Sequence, residues 1–170
     1  MKRTNFLRFG LLTAFMAMFS VAAMAQGEKA SPARTAEGTI NGTQVTINYS
    51  SPAVKGRTIW GEVVPIGKVW RAGANEATTV EFGSDVKVQG QSLPAGKYSL
   101  FIIPDEREST FIFNKQTGQW GTQYDQSQDQ LRVKVPAQES SSFEERLVYD
   151  VKSEGIEIRW AEAKAMVRVE

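Results

Sequence analysis

The sequence predicts an all-β protein built as a single antiparallel β-sandwich, and three observations carry that expectation. Apolar residues recur with a period of two along most of the chain, the alternation of strands with one face on a core and the other in solvent. Turn signals separate these stretches, Asn41-Gly42 foremost, a pair suited to the two left-handed positions of a tight hairpin. After the N-terminal segment no stretch sustains a 3.6-residue period, so helical crossovers and a parallel sheet are not expected. The pattern leaves immunoglobulin-like and jelly-roll-like topologies equally open.

The elements follow in order. Residues 1–25 read as a secretory signal peptide. Lys2, Arg3 and Arg8 precede an apolar run from Gly10 to Val21, and Ala23-x-Ala25 gives the small-residue pattern for cleavage before Gln26. The run is shorter than the ~20 apolar residues of a membrane span, so no stable span is expected after cleavage. Residues 26–37 are polar and read as a flexible N-terminal arm, leaving residues 38–170 as the sandwich domain. In that domain Val45, Ile47 and Tyr49 alternate with polar residues. Tyr98 to Ile103 is nearly continuous in apolar character, which predicts a central strand covered on both faces, and Phe111-Ile112-Phe113 reads as its partner. Asp105 to Glu108 separates those two strands as a hairpin tip. Leu131, Val133 and Val135 form a further alternating strand. Ser153-Glu154-Gly155 turns the chain between Leu147–Val151 and the Ile156-Ile158-Trp160 alternation. Ala161 to Met166 has room for one turn of helix at most. The expected core includes Ile47, Leu100, Ile102, Phe113, Val133, Ile158 and Trp160.

Composition closes several routes to function. The 170-residue chain has no His and no Cys. That excludes, within one chain, a histidine general base, a thiolate nucleophile, Cys/His zinc ligation and any disulfide. The 20 basic and 19 acidic residues nearly balance, and three of the basic ones leave with the signal, so nothing marks a nucleic-acid partner. Export implies a periplasmic or extracellular destination.

Two stretches break the alternation, residues 50–77 and 114–130, and each carries tryptophan among polar residues. The first contains Tyr49-Ser50-x-Pro52, Lys55-Gly56-Arg57-x-Ile59, Val64-Pro65-x-Gly67 and Trp70-Arg71-x-Gly73-Ala74-Asn75-Glu76-Ala77-Thr78. Leu93-Pro94-Ala95-Gly96-x-Tyr98 follows, and then Asn114-Lys115 and Gln119-Trp120-Gly121. In these motifs the chain resembles the bacterial exported family catalogued as domain of unknown function 2911, from about Ser31 to the C-terminus. The resemblance implies export and an all-β domain, and it brings no activity, cofactor or partner.

Other motifs carry less. Gly61 to Lys68 is a poor phosphate loop, its glycines one residue too far apart and Val69 standing where Ser or Thr would bind magnesium. Asp125 and Asp129 lack the spacing and the ligand number that calcium requires. Asn41-Gly42-Thr43 and Asn48-Tyr49-Ser50 match glycosylation acceptors, but a turn and a solvent-facing strand position account for them. No metal site and no cofactor is expected.

The candidate ligand-binding set is Arg57, Trp70, Arg71, Asn75 and Glu76, with Trp120 from the second loop. A planar donor fork, a paired amide, an acceptor and flat apolar walls suit a small polar ligand, a glycan or a peptide. The same residues serve equally as a network pinning the loop, with Arg71 paired to Glu76. The sequence therefore points to an exported, non-catalytic binding module. A structural or assembly partner in the envelope stands as the alternative, and a hydrolase pairing Glu76 with a second carboxylate is more remote.

Overall fold

The computed structural model describes residues 30–170. The expected signal peptide over residues 1–25 and the first residues of the expected arm, 26–29, lie outside the described residues. The order is β1 (Ala33–Ile40), β2 (Thr43–Ser50), β3 (Thr79–Phe82), β4 (Val86–Val88) and β5 (Gln91–Leu93). Then come β6 (Gly96–Ile103), β7 (Glu108–Asn114), β8 (Asp129–Pro136), β9 (Gln138–Lys152) and β10 (Gly155–Arg168). Among the described residues the only helical piece is a 3-10 turn over Gln126–Gln128, and no helix is long and apolar enough to cross a membrane.

Six strands form one antiparallel sheet in the order β1-β2-β3-β6-β7-β8. The β9–β10 and β4–β5 hairpins join into the facing layer. Val88 bridges Val169, with Lys87 and Glu170 exchanging backbone bonds of 2.7 and 2.9 Å. On the other side the chain at Pro52 to Val54 lies along β9, where Leu147 N donates to Pro52 O at 3.0 Å and Val54 N to Glu145 O at 2.7 Å. The result is an antiparallel sandwich, as expected. Asn41 and Gly42 adopt φ of 47° and 85° in the β1–β2 turn, the left-handed pair that a type I′ hairpin needs.

The alternation places the core. Ile47, Leu100, Ile102, Phe113, Val133, Ile158 and Trp160 are all buried between the layers. Strand β6 is covered on both faces: Tyr98, Leu100 and Ile102 face the main core, and fully buried Phe101 joins Ile112 and Ala77 in a small second core. Tyr124 closes that second core, its ring centroid 4.9 Å from Phe101.

One expectation is corrected. The arm expected to extend through Glu37 is strand from Ala33 onward, paired with β2 at every position from Ala33↔Ser50 to Ile40↔Thr43. Its side chains are mostly small or polar and mostly exposed, so backbone pairing holds it and the hydrophobic pattern is too faint to announce it. Ala161 to Met166 contains no helical turn; it continues β10 against β9. The helix propensity of its alanines is overridden by cross-strand pairing, with register shifts either side of Ala161, whose φ is 52°.

Candidate functional site

The six residues of the candidate set separate into three places. Arg57 is exposed and folds back on its own turn, Nη2 donating to Ala53 O at 2.6 Å and Nε to Val54 O at 3.1 Å. Trp70 turns inward, its Nε1 donating to Gly73 O at 3.2 Å. Arg71, Asn75, Glu76 and Trp120 do come together, where the two irregular loops cross.

That crossing is built from backbone. Glu76 bridges Trp120, Ala77 N donates to Gln119 O at 3.2 Å, and Gly121 N donates to Asn75 O at 3.0 Å. Asn75 sits at φ 61°, a left-handed position that Asn tolerates better than most residues. Its Nδ2 reaches Ser50 Oγ at 3.3 Å and Ser31 O at 3.4 Å. The Arg71 stem lies across Gly121 so closely that a Cβ there would fall 2.2 Å from Arg71 Cδ. Arg71 and Glu76 form no ion pair among the described residues, and the buried Arg71 Nε has no partner. Glu76 is exposed and lines a shallow depression with Arg34, Asn48 and Tyr49 but no second carboxylate. The acid pair that a hydrolase would need is therefore not assembled there.

The second loop is pinned by its own network. Asn114 Nδ2 donates to Asp129 Oδ1 and to Asp125 O, both at 2.8 Å. Tyr124 OH donates to Asp129 Oδ2 at 2.6 Å and accepts from Arg132 Nη2 at 2.6 Å. Burial first, and then the bond to Asp129 and its charge, push the Tyr124 hydroxyl up to about 12. Asp125 accepts from Ser127 N at 2.9 Å and caps the 3-10 turn. These carboxylates thus serve the loop itself.

An apolar cleft lies elsewhere, and local sequence patterns did not reveal it. Trp60 comes from the β2–β3 connection, Trp70 from a segment bridged to Ile102 of β6, and Trp160 from β10. Their rings pack together. Trp70 and Trp160 stack at 5.8 Å and 16°, while Trp60 meets them edge-on at 6.0 and 6.2 Å. Beside this cluster opens a cleft of about 310 Å³, walled by Ile66, Ile102, Phe111 and Ile158. Ala163 and Ala165 of β10 also line it; their small side chains leave the space unfilled. Its mouth carries Asp105 and Glu106 from the β6–β7 tip, Glu139 from β9, and Glu162 and Lys164 from β10. No three of the described acidic residues converge to hold a metal ion. The Nε1 atoms of Trp60 and Trp160 are buried without a hydrogen-bond partner, an uncommon state that costs free energy unless an acceptor is supplied.

The fold and the site define an antiparallel β-sandwich with a tryptophan-floored cleft between its layers. The chain belongs to the family described as Protein of unknown function (DUF2911), whose model matches residues 31–169. No curated protein and no solved structure matches it.

Proposed function

We propose that this protein is an exported, non-catalytic binding module that takes a small ligand into the tryptophan cleft. One observation carries the reading: a cleft of about 310 Å³ is floored by three packed tryptophans, two with unpartnered indole N–H groups. Its size is at the small end of ligand pockets, roughly 300–1,000 Å³, and an apolar lining with a few polar groups is their usual character. The export half rests on the signal pattern of residues 1–25 and implies a periplasmic or extracellular site of action. The Arg71-Asn75-Trp120 crossing then acts as a brace that fixes the loop bearing Trp70.

The test is a thermal-shift screen of residues 26–170 against small amphipathic compounds, run on the wild type and on Ala163→Leu, which fills the cleft. A cleft ligand raises the wild-type midpoint, because it binds the native state alone, and has no effect on Ala163→Leu. A ligand that stabilises both proteins equally places binding elsewhere and refutes the reading.

A second reading, an assembly partner in the envelope, is favoured by Val63, Ile66 and Val69, which are 39%, 42% and 39% exposed on one loop. Charged substitutions at Val63 and Val69 discriminate it: they abolish association with a partner and leave small-ligand binding in the cleft intact.

A further inference from the structure

Resting on the cleft as the ligand site, we propose that it selects ligands carrying a cationic group on an apolar body. The mouth is lopsided in charge. Asp105, Glu106, Glu139 and Glu162 face a single cation, Lys164, around the opening. They arrive from three separate segments, the β6–β7 tip, the start of β9 and the middle of β10, so no single charged run accounts for them.

The β9–β10 hairpin supplies its own internal control. Away from the cleft, three of its carboxylates, Glu144, Asp150 and Glu157, share the cations of Arg159 and Lys152. Arg159 pairs with Asp150 at 2.7 Å, with Glu144 at 3.3 Å and with Glu157, while Lys152 lies 3.7 Å from Asp150. At the cleft the same hairpin presents Glu139 and Glu162 with no ion-pair partner among the described residues, and Glu106 across the opening is likewise unpaired. An uncompensated acidic ring above an apolar floor attracts positive charge and repels anions. An apolar body fills the space beside the tryptophans, and the cation stays at the hydrated mouth.

The opposing expectation comes from the floor's own donors. The unpartnered N–H groups of Trp60 and Trp160 would favour a ligand bearing an acceptor, even an anionic one. A matched set of probes therefore decides the matter: 2-phenylethylammonium, 2-phenylethanol and 3-phenylpropionate share one aromatic body and differ in head-group charge. Each is titrated into the ¹⁵N-labelled mature protein, and the four indole N–H resonances are followed, with Trp120→Phe among the variants that assign them. The ammonium should bind about three- to tenfold more tightly than the alcohol, as expected for a few solvated charges acting together, and the propionate most weakly. The margin should shrink in 1 M salt. It should vanish in the Glu106→Gln, Glu139→Gln, Glu162→Gln triple variant, whose unchanged spectrum in the absence of ligand certifies its fold.

Equal affinities, a preference for the propionate, or a preference that survives in the triple variant would overturn the inference while leaving a cleft that binds ligands. Failure of all three probes to shift the Trp60, Trp70 and Trp160 resonances would also overturn it. The binding reading itself then falls only if the screen against Ala163→Leu yields no cleft ligand.

Discussion

Gly121→Ala tests whether the crossing of the two loops is a structural brace. The added Cβ would lie 2.2 Å from Arg71 Cδ, 2.7 Å from Asn75 O and 2.9 Å from Arg71 Cβ. A long side chain can swing aside, but the Asn75 carbonyl is fixed by its bond from Gly121 N at 3.0 Å. Relief therefore requires the loops to part. Overpacking of this kind costs about 1–3 kcal/mol, and losing the backbone bond adds about 1 kcal/mol. The expected total is about 2–4 kcal/mol. For a domain of this size that is a fall in Tm of roughly 6–16 °C. Urea denaturation of residues 26–170 measures it directly, with the m-value checking that unfolding stays two-state. The Arg71→Ala, Gly121→Ala double variant should recover only part of the loss, because it removes the clash with Arg71 Cδ and keeps those with Asn75 O and the Cβ of residue 71. A Gly121→Ala protein as stable as the wild type would refute the brace.

Other outcomes follow from the same structure. Leu100→Ala should cost about 2–5 kcal/mol in denaturant titrations, since the side chain is buried in the main core. Stability should change little between pH 5 and 8, because the chain has no His, and a steep transition near pH 6 would contradict this. Above that window stability should fall. Tyr124 is raised from 10 to about 12 and the fully buried Tyr149 well above 10, so the folded state favours their protonated forms. The Tyr124 contribution is complete below pH 10 and is lost as pH rises through about 12. Tyr124→Phe should remove part of this alkaline loss, read from midpoints across pH 9–12. Intact-mass analysis of the exported protein should give residues 26–170; retention of residues 1–25 would contradict export.

The fold was legible because most strands bury one face, so alternation at Val45, Ile47 and Tyr49, or at Ile156, Ile158 and Trp160, translates directly into burial. Even the doubly covered strand could be read, since Phe101 interrupts what would otherwise be a polar face. Strand β1 was hidden because an edge held by backbone bonds needs no hydrophobic pattern. The loop crossing was half legible: Arg71, Asn75, Glu76 and Trp120 do meet, but through main-chain bonds that residue types do not encode. The cleft was not legible at all. Trp60 and Trp70 come from the β2–β3 connection and Trp160 from β10, some ninety residues further on, and the space beside them exists because Ala163 and Ala165 are small. Asp105 and Glu106 looked like a hairpin tip, which they are; only the tertiary fold sets that tip at the mouth of a cavity.

The central claim is that ligands enter the tryptophan cleft. Nuclear Overhauser contacts between a bound probe such as 2-phenylethylammonium and the indole protons of the protein test it most directly. The account predicts contacts from the probe's ring to Trp60 and Trp160, and none to Trp120, which is 49% exposed at the loop crossing. Contacts confined to Trp120 would contradict it and move the site to the crossing of the loops.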